Sequence, residues 1–530
     1  MKDSYSKEDD ILDRTFKIRI LFTSDSHGSL LDLNYSNNQL VDYGMVKIAS
    51  LIKKYRTKST VLIDGGDTIQ GSPLLYYHQL HRNNFSHPVA TIFNQLKYDF
   101  FVPGNHDFNY GIDYLNQFTR ELHSTTLCAN ILTKEHNLYF DKAYEIRNYP
   151  HGVKVAFIGL TTQYIPNWEQ PSNIKDLEFV NVIDKLKEVL AEIKSTYSVQ
   201  GIVVIYHGGF EKELDTLKDY VSDTGENLGS KILETFPEIN VLLTGHQHRL
   251  ISQNVKQTTV IQPGSYGKYL GLIDISFSKN KTWSLDKIES QILSSQGVLS
   301  DRNLAFTISD IEDATQLFLD QTIGTVPNND LKIEDLFQAR LHKHKIVTFI
   351  NQVQLLASKA DISCTSLGNA ITGFDKEITV RNVLSTYIYP NTLTVIQITG
   401  EKLRKALEKN AEYFVIENNE IVANPKYSYP KLEHYNYDMF DGIDYEFDIS
   451  KEFGFRVISM TFKKKDIKDE DVFTLVMNNY RATGGGEFEM YKGLPILKEM
   501  QFDIAELLIN YIREHKELVI PDIHNIHIHK

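Results

Sequence analysis

Six short apolar runs, each of strand length, recur through the first half of the chain and constrain its fold class. They are rich in β-branched and aromatic residues and read FKIRILFTS (16–24), STVLIDG (59–65), DFFVPG (99–104), VKVAFIGL (153–160), GIVVIYHG (201–208) and INVLLTG (239–245). Helical stretches lie between them, such as VNVIDKLKEVLAEIKSTY (180–197), in which apolar residues recur at helix spacing. This alternation predicts an α/β domain with helices layered around sheets.

A second α/β domain is predicted in the other half. After TTVIQPGSYGKYLGLIDISFS (258–278) the sequence becomes polar, and residues 291–324 are typical of a connection that contains one helix. We therefore predict an N-terminal tail (1–15), a first domain (16–295), a linker with a helix (296–325), a second domain (326–515) and a frayed C-terminal tail (516–530).

Composition and charge exclude several classes of function. The chain has 530 residues, which is enough for two domains with cores of their own. Its formal net charge of -13 argues against binding to a nucleic-acid duplex, whose partners carry a basic surface. The two cysteines, Cys128 and Cys364, provide neither a disulfide framework nor a thiolate metal site.

The sequence shows no signal for export or for membrane insertion. The start, MKDSYSKEDDILDRT, is polar and acidic and lacks the apolar segment of a signal peptide. No later run approaches the about 18 uninterrupted apolar residues of a membrane-spanning helix. We expect a cytoplasmic protein without a membrane partner, and the sequence leaves its oligomeric state open.

Polar clusters follow five of the apolar runs at the point where each predicted strand ends. They read SDSHG, GGDTIQG, GNHD, YHGG and GHQH, and they supply seven possible metal ligands: Asp25, His27, Asp67, Asn105, His207, His246 and His248. Ligand sites in α/β sheets lie at the carboxyl ends of strands, so we expect the five clusters to converge. Glycine flanks each cluster, as is expected where the backbone approaches an ion closely.

The residue types in these clusters favour a metal centre. Asp, Asn and His without Cys suit borderline divalent ions such as Mn²⁺, Zn²⁺, Fe²⁺ or Co²⁺. Seven protein ligands exceed the need of one ion, and a two-metal site serves displacement at phosphorus. Similar spacings at HKH (342–344) and HNIHIH (524–529) follow no buried strand end, and we interpret them as solvated histidines.

The order DxH, GDxxxG, GNHD, H and GHxH resembles the calcineurin-like metallophosphoesterase superfamily. The resemblance implies an N-terminal α/β-β-α metallophosphoesterase sandwich with two divalent metal ions. It implies that one ion takes Asp25, His27 and His248. It implies that the other takes Asn105, His207 and His246, with Asp67 as the bridge. The implied reaction is in-line attack by a metal-held water, with His106 as a catalytic residue over the phosphoryl oxygens.

With its second half included, the chain resembles the two-domain 5′-nucleotidase family over roughly residues 16–515. It is most similar to the 2′,3′-cyclic-nucleotide 2′-phosphodiesterase/3′-nucleotidase branch, through GDTIQGSPL, GNHDFNYGIDYL, TVRNVLSTYIYPNTL, YNYDMFDGIDYEFDIS and NNYRATGGG. The resemblance implies a second, smaller α/β substrate-binding domain that holds the nucleobase between two aromatic rings. Tyr480 is then one ring, and Tyr437 or Tyr435 is the other.

Two departures from the 5′-nucleotidase pattern favour the cyclic-nucleotide branch. Three residues after His106 this chain has Asn109, where 5′-nucleotidases place an Asp, and we include Asn109 with His106 as catalytic. An Asn can orient the imidazole but cannot hold its cation by charge, so Asn109→Asp is expected to favour monoesters. Gly486 stands where 5′-nucleotidases place an Asp for a ribose hydroxyl, so that acceptor is missing.

A third departure concerns arginine. The loop that supplies phosphate-binding Arg in 5′-nucleotidases is replaced by TSLGNAITGFDKEI (365–378), which contains none. Asn369 is the polar group that remains there, and Arg381 and Arg481 are further candidates for contact with the substrate anion.

The sequence therefore predicts a dinuclear-metal hydrolase of nucleotide phosphoesters. It would open 2′,3′-cyclic nucleotides to 3′-nucleotides and then release phosphate from these. A 5′-nucleotidase or UDP-sugar hydrolase is the alternative within the same chemistry. A nucleotide-binding protein without catalysis is the alternative from another class, and the intact set of seven ligands argues against it.

Overall fold

Two separate units are present in the chain, as the change of pattern near residue 300 predicts. The computed structural model describes residues 15–216, 218, 225–327, 330–387, 391–429 and 431–530. The first unit takes the residues up to 313 except 35–37, and the second takes 35–37 and 314–530. The boundary falls inside the predicted linker. The predicted N-terminal tail lies, except for residue 15, outside the described residues.

The first unit is built on two mixed six-stranded sheets. The first sheet has the strand order Trp283–Ser294, Tyr269–Lys279, Thr15–Thr23, Thr60–Asp64, Phe100–Phe101 and Thr125–Thr126. The second has the order Leu250–Val255, Thr258–Pro263, Val241–Thr244, Gly201–His207, Lys154–Thr161 and Tyr144–Asn148. The central strands of both sheets are parallel, so their carboxyl ends lie at one edge of each sheet.

The apolar runs are continuous because their strands are buried on both faces. One core lies between the two sheets, where Ile20 and Phe22 pack with Phe157 and Val203. Alternate residues of the second sheet, such as Ile158, face a second core that includes helix Val182–Thr196. The remaining helices of this unit are Met45–Tyr55, Pro73–Leu80, Pro88–Leu96, Ile112–Glu121, Gly229–Thr235 and Arg302–Phe306.

Helix Ser309–Leu319 crosses the boundary into the second unit, which holds a five-stranded and a four-stranded sheet. The five-stranded sheet has the order Asp438–Asp441, Ile362–Ser366, Val472–Asn478, Thr392–Thr399 and Ile496–Asp503. The four-stranded sheet has the order Lys465–Asp466, Val457–Phe462, Asp444–Asp448 and Ile526–His529. The helices are Leu336–Leu341, Lys345–Ser358, Val380–Thr386, Gly400–Ala411, Asn479–Ala482 and Ile504–His515.

The prediction of a frayed tail at 516–530 is wrong for its last residues. Ile526–His529 forms a strand that pairs in parallel with Asp444–Asp448. The preceding Asn525 is buried, and its amide donates to the backbone carbonyls of Phe440 and Ile443. Buried Lys343 reaches both Asn525 and Asp441, so hydrogen bonds that the sequence pattern does not reveal hold the segment in place.

The predicted fold class is confirmed in both halves. The first unit is a sandwich of two sheets with helices on its outer faces, and the second is a smaller α/β unit. Among the helices in the described part of the chain, none combines the length and the apolar character needed to cross a membrane.

Candidate active site

The predicted ligands lie directly after the carboxyl ends of central strands in the two sheets of the first unit. The strands that precede the ligands are Thr15–Thr23, Thr60–Asp64 and Phe100–Phe101 in the first sheet and Gly201–His207 and Val241–Thr244 in the second. Parallel neighbours end at the same sheet edge, so the loops that follow them meet. The structure brings all seven predicted ligands together there.

The ligand atoms form two neighbouring groups. The side-chain donors of Asp25, His27 and His248 lie within 4.8 Å of one another, and so do those of Asp67, His207 and His246. Asn105 belongs to the second group, because its Oδ1 lies 3.2 Å from Nε2 of His207 and 2.9 Å from Nδ1 of His246. This division is the one that the resemblance implies.

The backbone at most of these ligand residues adopts a strained, left-handed conformation that directs the side chains towards one another. Five of the seven have positive φ angles, between 46° and 70°: Asp25, His27, Asp67, His246 and His248. Non-glycine residues rarely adopt this conformation, and sparsely populated backbone states cost about 1–3 kcal/mol each. The convergence of the donors therefore has a cost in folding stability, which indicates that the loops serve a bound ion.

Asp107, the last residue of GNHD, fastens two of these loops to each other. Its buried carboxylate accepts hydrogen bonds from the backbone N–H groups of Asp67, Thr68, Ile69 and Gly104 at 2.7–2.9 Å. A Cβ on Gly104 would overlap with Asp67 and His207, so only glycine allows this approach. The sequence motif contains Asp107, but its role as an anchor is visible only in the structure.

Charge in the pocket is arranged to receive a cation. Burial opposes ionisation of Asp25, but the hydrogen bond and charge of His248 lower its pKa to about 2. Burial lowers the pKa of His27 to about 3, which leaves a neutral imidazole. Burial also opposes the charge on His207, yet the carboxylates of Asp67 and Asp25 raise its pKa to about 10. Two carboxylates and a neutral imidazole are thus ready as ligands, and an entering cation would replace the proton of His207.

The donor set fits divalent metal ions. Buried carboxylates, an amide oxygen and imidazole nitrogens converge from five loops, and soft thiolate ligands are absent from the set. Nε2 of His27 and Nε2 of His248 face each other at 3.0 Å, an approach that a shared cation would stabilise.

His106 and Asn109 contact each other beside this centre. Nδ1 of His106 lies 2.8 Å from Oδ1 of Asn109, and the backbone N–H of His106 donates to Oδ1 of Asp67 at 2.7 Å. Behind them, Nδ2 of Asn109 donates to Oε2 of Glu169 at 2.7 Å. Burial raises the pKa of Glu169, while Asn109, Gln170 and Asn173 oppose that shift by donating to it.

Two further residues contact His246 that the sequence does not predict. Nε2 of His246 lies 2.8 Å from Oε1 of Glu226, and a carboxylate on the outer nitrogen orients a ligating imidazole. The ring of Trp168 stacks on His246 with centroids 5.5 Å apart and an interplanar angle of 24°. Both come from loops without a recognisable motif, so the sequence carries no signal that could have found them.

The aromatic residues predicted for the second unit have different environments. Tyr480 lies in the short helix after strand Val472–Asn478 and is partly exposed, as is Tyr435. Tyr437 is fully buried, and its ring stacks on Tyr413 with centroids 4.8 Å apart. The prediction that Tyr437 could stack on a base is therefore wrong, and Tyr435 is left as the possible second ring.

A buried ion pair joins the segments that carry Tyr435 and Tyr480. Nε of Arg481 lies 2.7 Å from Oδ2 of Asp438, and both side chains are almost completely buried. The guanidinium also donates to the carbonyl of Tyr435 and to that of Gly485. Arg481 therefore supports the fold and has no role as an anion contact.

Gly486 is required by the backbone. Its φ is 72°, and a Cβ there would overlap with Oδ1 of Asn436 and Nη1 of Arg481. The missing Asp at this position thus has a structural reason, because the position has no space for any side chain.

The two other predicted substrate contacts, Arg381 and Asn369, differ from each other in whether their polar atoms are already occupied. The prediction for Arg381 is wrong, because its guanidinium is buried and donates to Asp320, Gln316 and the carbonyl of Tyr35. Asn369 is more suitable: its Nδ2 donates to the carbonyl of Leu432, and its buried Oδ1 has no hydrogen-bond partner among the described residues.

Comparison with known families matches each unit separately. Residues 18–250 match the family model described as calcineurin-like phosphoesterase. Residues 322–493 match the one described as 5′-nucleotidase, C-terminal domain.

Two curated relatives extend along nearly the whole chain. The trifunctional nucleotide phosphoesterase protein YfkN of Bacillus subtilis is 25% identical over 94% of this chain, which spans 38% of that longer relative. A 2′,3′-cyclic-nucleotide 2′-phosphodiesterase/3′-nucleotidase of Haemophilus influenzae is 24% identical over 94% of this chain and 85% of the relative.

A solved structure that matches nearly the whole chain shows the family. The crystal structure of a putative 5′-nucleotidase from Staphylococcus aureus is 34% identical, with a TM-score of 0.88, and the match covers 97% of this chain and 100% of that one. This chain therefore belongs to the two-domain 5′-nucleotidase family of calcineurin-like metallophosphoesterases, and it is a phosphoester hydrolase.

Proposed function

We propose that the protein opens 2′,3′-cyclic nucleotides to 3′-nucleotides and then converts these to nucleosides and phosphate. The observation that carries the proposal is the uncharged Asn109 at Nδ1 of His106, where 5′-nucleotidases place a carboxylate. The name of the Haemophilus influenzae relative supports the same pair of reactions.

An uncharged partner of His106 suits a cyclic substrate for a chemical reason. Water attacks phosphorus, the bond to the 2′-oxygen breaks, and this oxygen takes up a proton. The strained ring makes the 2′-oxygen a ready leaving group, whereas the alkoxide of an unstrained monoester benefits more from a strong proton donor. Asn109 orients the imidazole by a hydrogen bond without adding charge.

The residues of the first unit would hold two divalent ions, for which we propose Mn²⁺, Zn²⁺, Fe²⁺ or Co²⁺. One would be held by Asp25, His27 and His248, and the other by Asn105, His207 and His246, with Asp67 shared. When bound, such ions lower the pKa of water and withdraw charge from phosphoryl oxygens. His106 would add a hydrogen bond where negative charge develops in the transition state.

The second unit would supply the contacts to the nucleoside. Partly exposed Tyr480 and Tyr435 offer π-faces to a base, and stacking of this kind accepts every base. Gly486 cannot carry an acceptor for free ribose hydroxyls, which suits a substrate whose 2′ and 3′ oxygens bear the phosphate. The buried Oδ1 of Asn369, which has no hydrogen-bond partner in the part of the chain that the structure describes, is a further acceptor that we propose for a substrate hydroxyl or amino group.

A 5′-nucleotidase activity is the second candidate, and the 34% identity to the Staphylococcus aureus protein favours it. Turnover of 2′,3′-cAMP, 3′-AMP, 5′-AMP and UDP-glucose with Mn²⁺ separates the two. Our proposal requires the highest kcat/KM on 2′,3′-cAMP, with 3′-AMP second. A preference for 5′-AMP or UDP-glucose would replace it by the second candidate, and no turnover of any member would contradict both.

A further inference from the structure

Glu169 lies at the end of a row of three hydrogen-bonded side chains behind the metal centre. Its Oε2 accepts from Nδ2 of Asn109 at 2.7 Å, and Oδ1 of Asn109 lies 2.8 Å from Nδ1 of His106. Glu169 comes from the loop after strand Lys154–Thr161, far from the GNHD motif in sequence. The metal motif of the family does not include this position.

The acceptor character of Glu169 determines which way the amide of Asn109 points. Oε1 of Glu169 accepts from Nδ2 of Asn173 at 2.9 Å and from the backbone N–H of Gln170 at 2.8 Å. Together with Nδ2 of Asn109, three N–H donors therefore point at this carboxyl group. Such an environment stabilises the ionised carboxylate, which only accepts hydrogen bonds. Such a group requires the NH₂ of Asn109 to face it, so the Asn109 oxygen must face His106.

The orientation of Asn109 in turn determines the hydrogen on His106. An amide oxygen only accepts, so Nδ1 of His106 must donate. In the neutral ring the lone pair is then on Nε2, and in the cation Nε2 carries the second hydrogen. A carboxylate two hydrogen bonds away therefore sets the tautomer of the catalytic imidazole.

We propose that Glu169 is a positioning residue for phosphoester hydrolysis, because it fixes the Asn109 amide and, through it, the tautomer of His106. The inference rests on the proposed role of His106, but it is independent of which nucleotide is the substrate. It also changes the expectation for Asn109→Asp. The new carboxylate would lie at hydrogen-bond distance from Glu169, so the two groups would repel or share a proton, and the variant loses activity.

Three variants test the proposal: Glu169→Gln, Asn109→Asp and the double variant. A Gln can donate as well as accept, so Glu169→Gln frees the Asn109 amide to turn. We expect kcat to fall by about 10- to 100-fold with little change in KM. Asn109→Asp should fall at least as far. In the double variant the amide introduced at position 169 donates to the carboxylate introduced at position 109, and kcat should recover above both single variants.

Two further measurements separate positioning from damage to the loop. Asn173 donates to Glu169 and also to the backbone carbonyl of Asn109, so it is unsuitable as a control. Asn167→Ala removes an exposed side chain of the same loop whose amide donates to the carbonyl of Tyr164, so its kcat should stay close to the wild-type value. In a His106→Ala background, Glu169→Gln should cause no additional loss, because it acts only through the ring. Thermal unfolding and metal content, measured for every variant, report misfolding directly.

The rates are measured with 2′,3′-cAMP and with bis(4-nitrophenyl) phosphate. If only the second compound is hydrolysed, the cyclic-nucleotide proposal fails while the ranking of variants still tests Glu169. Three results would each overturn the inference: wild-type kcat in Glu169→Gln, a loss in the double variant equal to the product of the single losses, or a loss in Asn167→Ala equal to that in Glu169→Gln.

Discussion

The Oδ1 atom of Asn109 lies 2.8 Å from Nδ1 of His106. This contact gives the imidazole that we propose as catalytic an oriented but uncharged partner, and the nearest carboxylate in the row, Glu169, is one residue further away. The chemistry that we propose follows from this pair together with the candidate metal ligands around Asp67.

Asp67→Asn should abolish turnover and remove metal. Asp67 is buried, its Oδ2 lies 3.2 Å from Nε2 of His207, and we propose that its carboxylate is shared by both ions. Metal content after reconstitution with Mn²⁺ is the direct measurement. Asp64→Asn is the matched control, because Asp64 is equally buried at the end of the preceding strand but contacts Thr23, Thr68 and Gly66 and no ligand. Two bound ions in Asp67→Asn would refute the assignment.

Tyr480→Ala should raise KM for nucleotides more than it lowers kcat. Loss of base stacking costs about 1–3 kcal/mol, which is about a 5- to 150-fold change in binding. Tyr480→Phe keeps the ring and should keep KM. Tyr437→Phe is the second control, because the buried Tyr437 hydroxyl has no hydrogen-bond partner among the described residues and should leave KM unchanged. An unaltered KM in Tyr480→Ala would remove Tyr480 from the base site.

Asp438→Asn should destabilise the protein by about 3–5 kcal/mol, because it leaves the buried Arg481 without its carboxylate. Urea unfolding measures this loss. Lys405→Ala removes the exposed Lys405–Glu401 pair of the same unit and should cost at most about 1 kcal/mol. Equal losses in the two variants would contradict the role given to the buried pair.

Stability should depend on pH through Asp64, whose pKa burial raises to about 7. A carboxyl with a raised pKa binds its proton more tightly when folded, so its contribution is complete below about pH 4 and is lost as pH rises towards 7. Relative to Asp64→Asn, the wild type should lose on the order of 4 kcal/mol over this range. Unfolding in urea at pH 4 to 8, with a chelator present, tests this. A constant difference between the two proteins would show that Asp64 is ionised throughout.

The sequence predicts those parts of the site whose positions follow from the ends of the apolar strands. Asp25, Asp67 and His246 each follow a strand that is apolar on both faces, and parallel strand ends must converge, so their meeting was predictable. Tertiary contacts between distant segments were not predictable. Glu169 and Glu226 lie on loops without a motif, and nothing in their neighbourhood shows that they reach Asn109 and His246.

The wrong predictions concern residues whose burial and tertiary contacts cannot be read from the sequence. Tyr435 and Tyr437 look alike in sequence, and only packing against Tyr413 shows that the second is in the core. Arg381 resembles an anion contact until Asp320 and Gln316 are seen to occupy its guanidinium. The C-terminal strand Ile526–His529 has only four residues, and the buried hydrogen bonds of the adjacent Asn525 are not visible in the sequence.

Following 2′,3′-cAMP with the Mn²⁺-loaded protein by ³¹P NMR tests the proposed cyclic-nucleotide reaction most directly. We predict that the cyclic phosphate signal gives way to that of 3′-AMP and then to inorganic phosphate, with the first step faster than hydrolysis of 5′-AMP at equal concentration. Release of 2′-AMP as the first product, or hydrolysis of 5′-AMP while 2′,3′-cAMP remains intact, would contradict it.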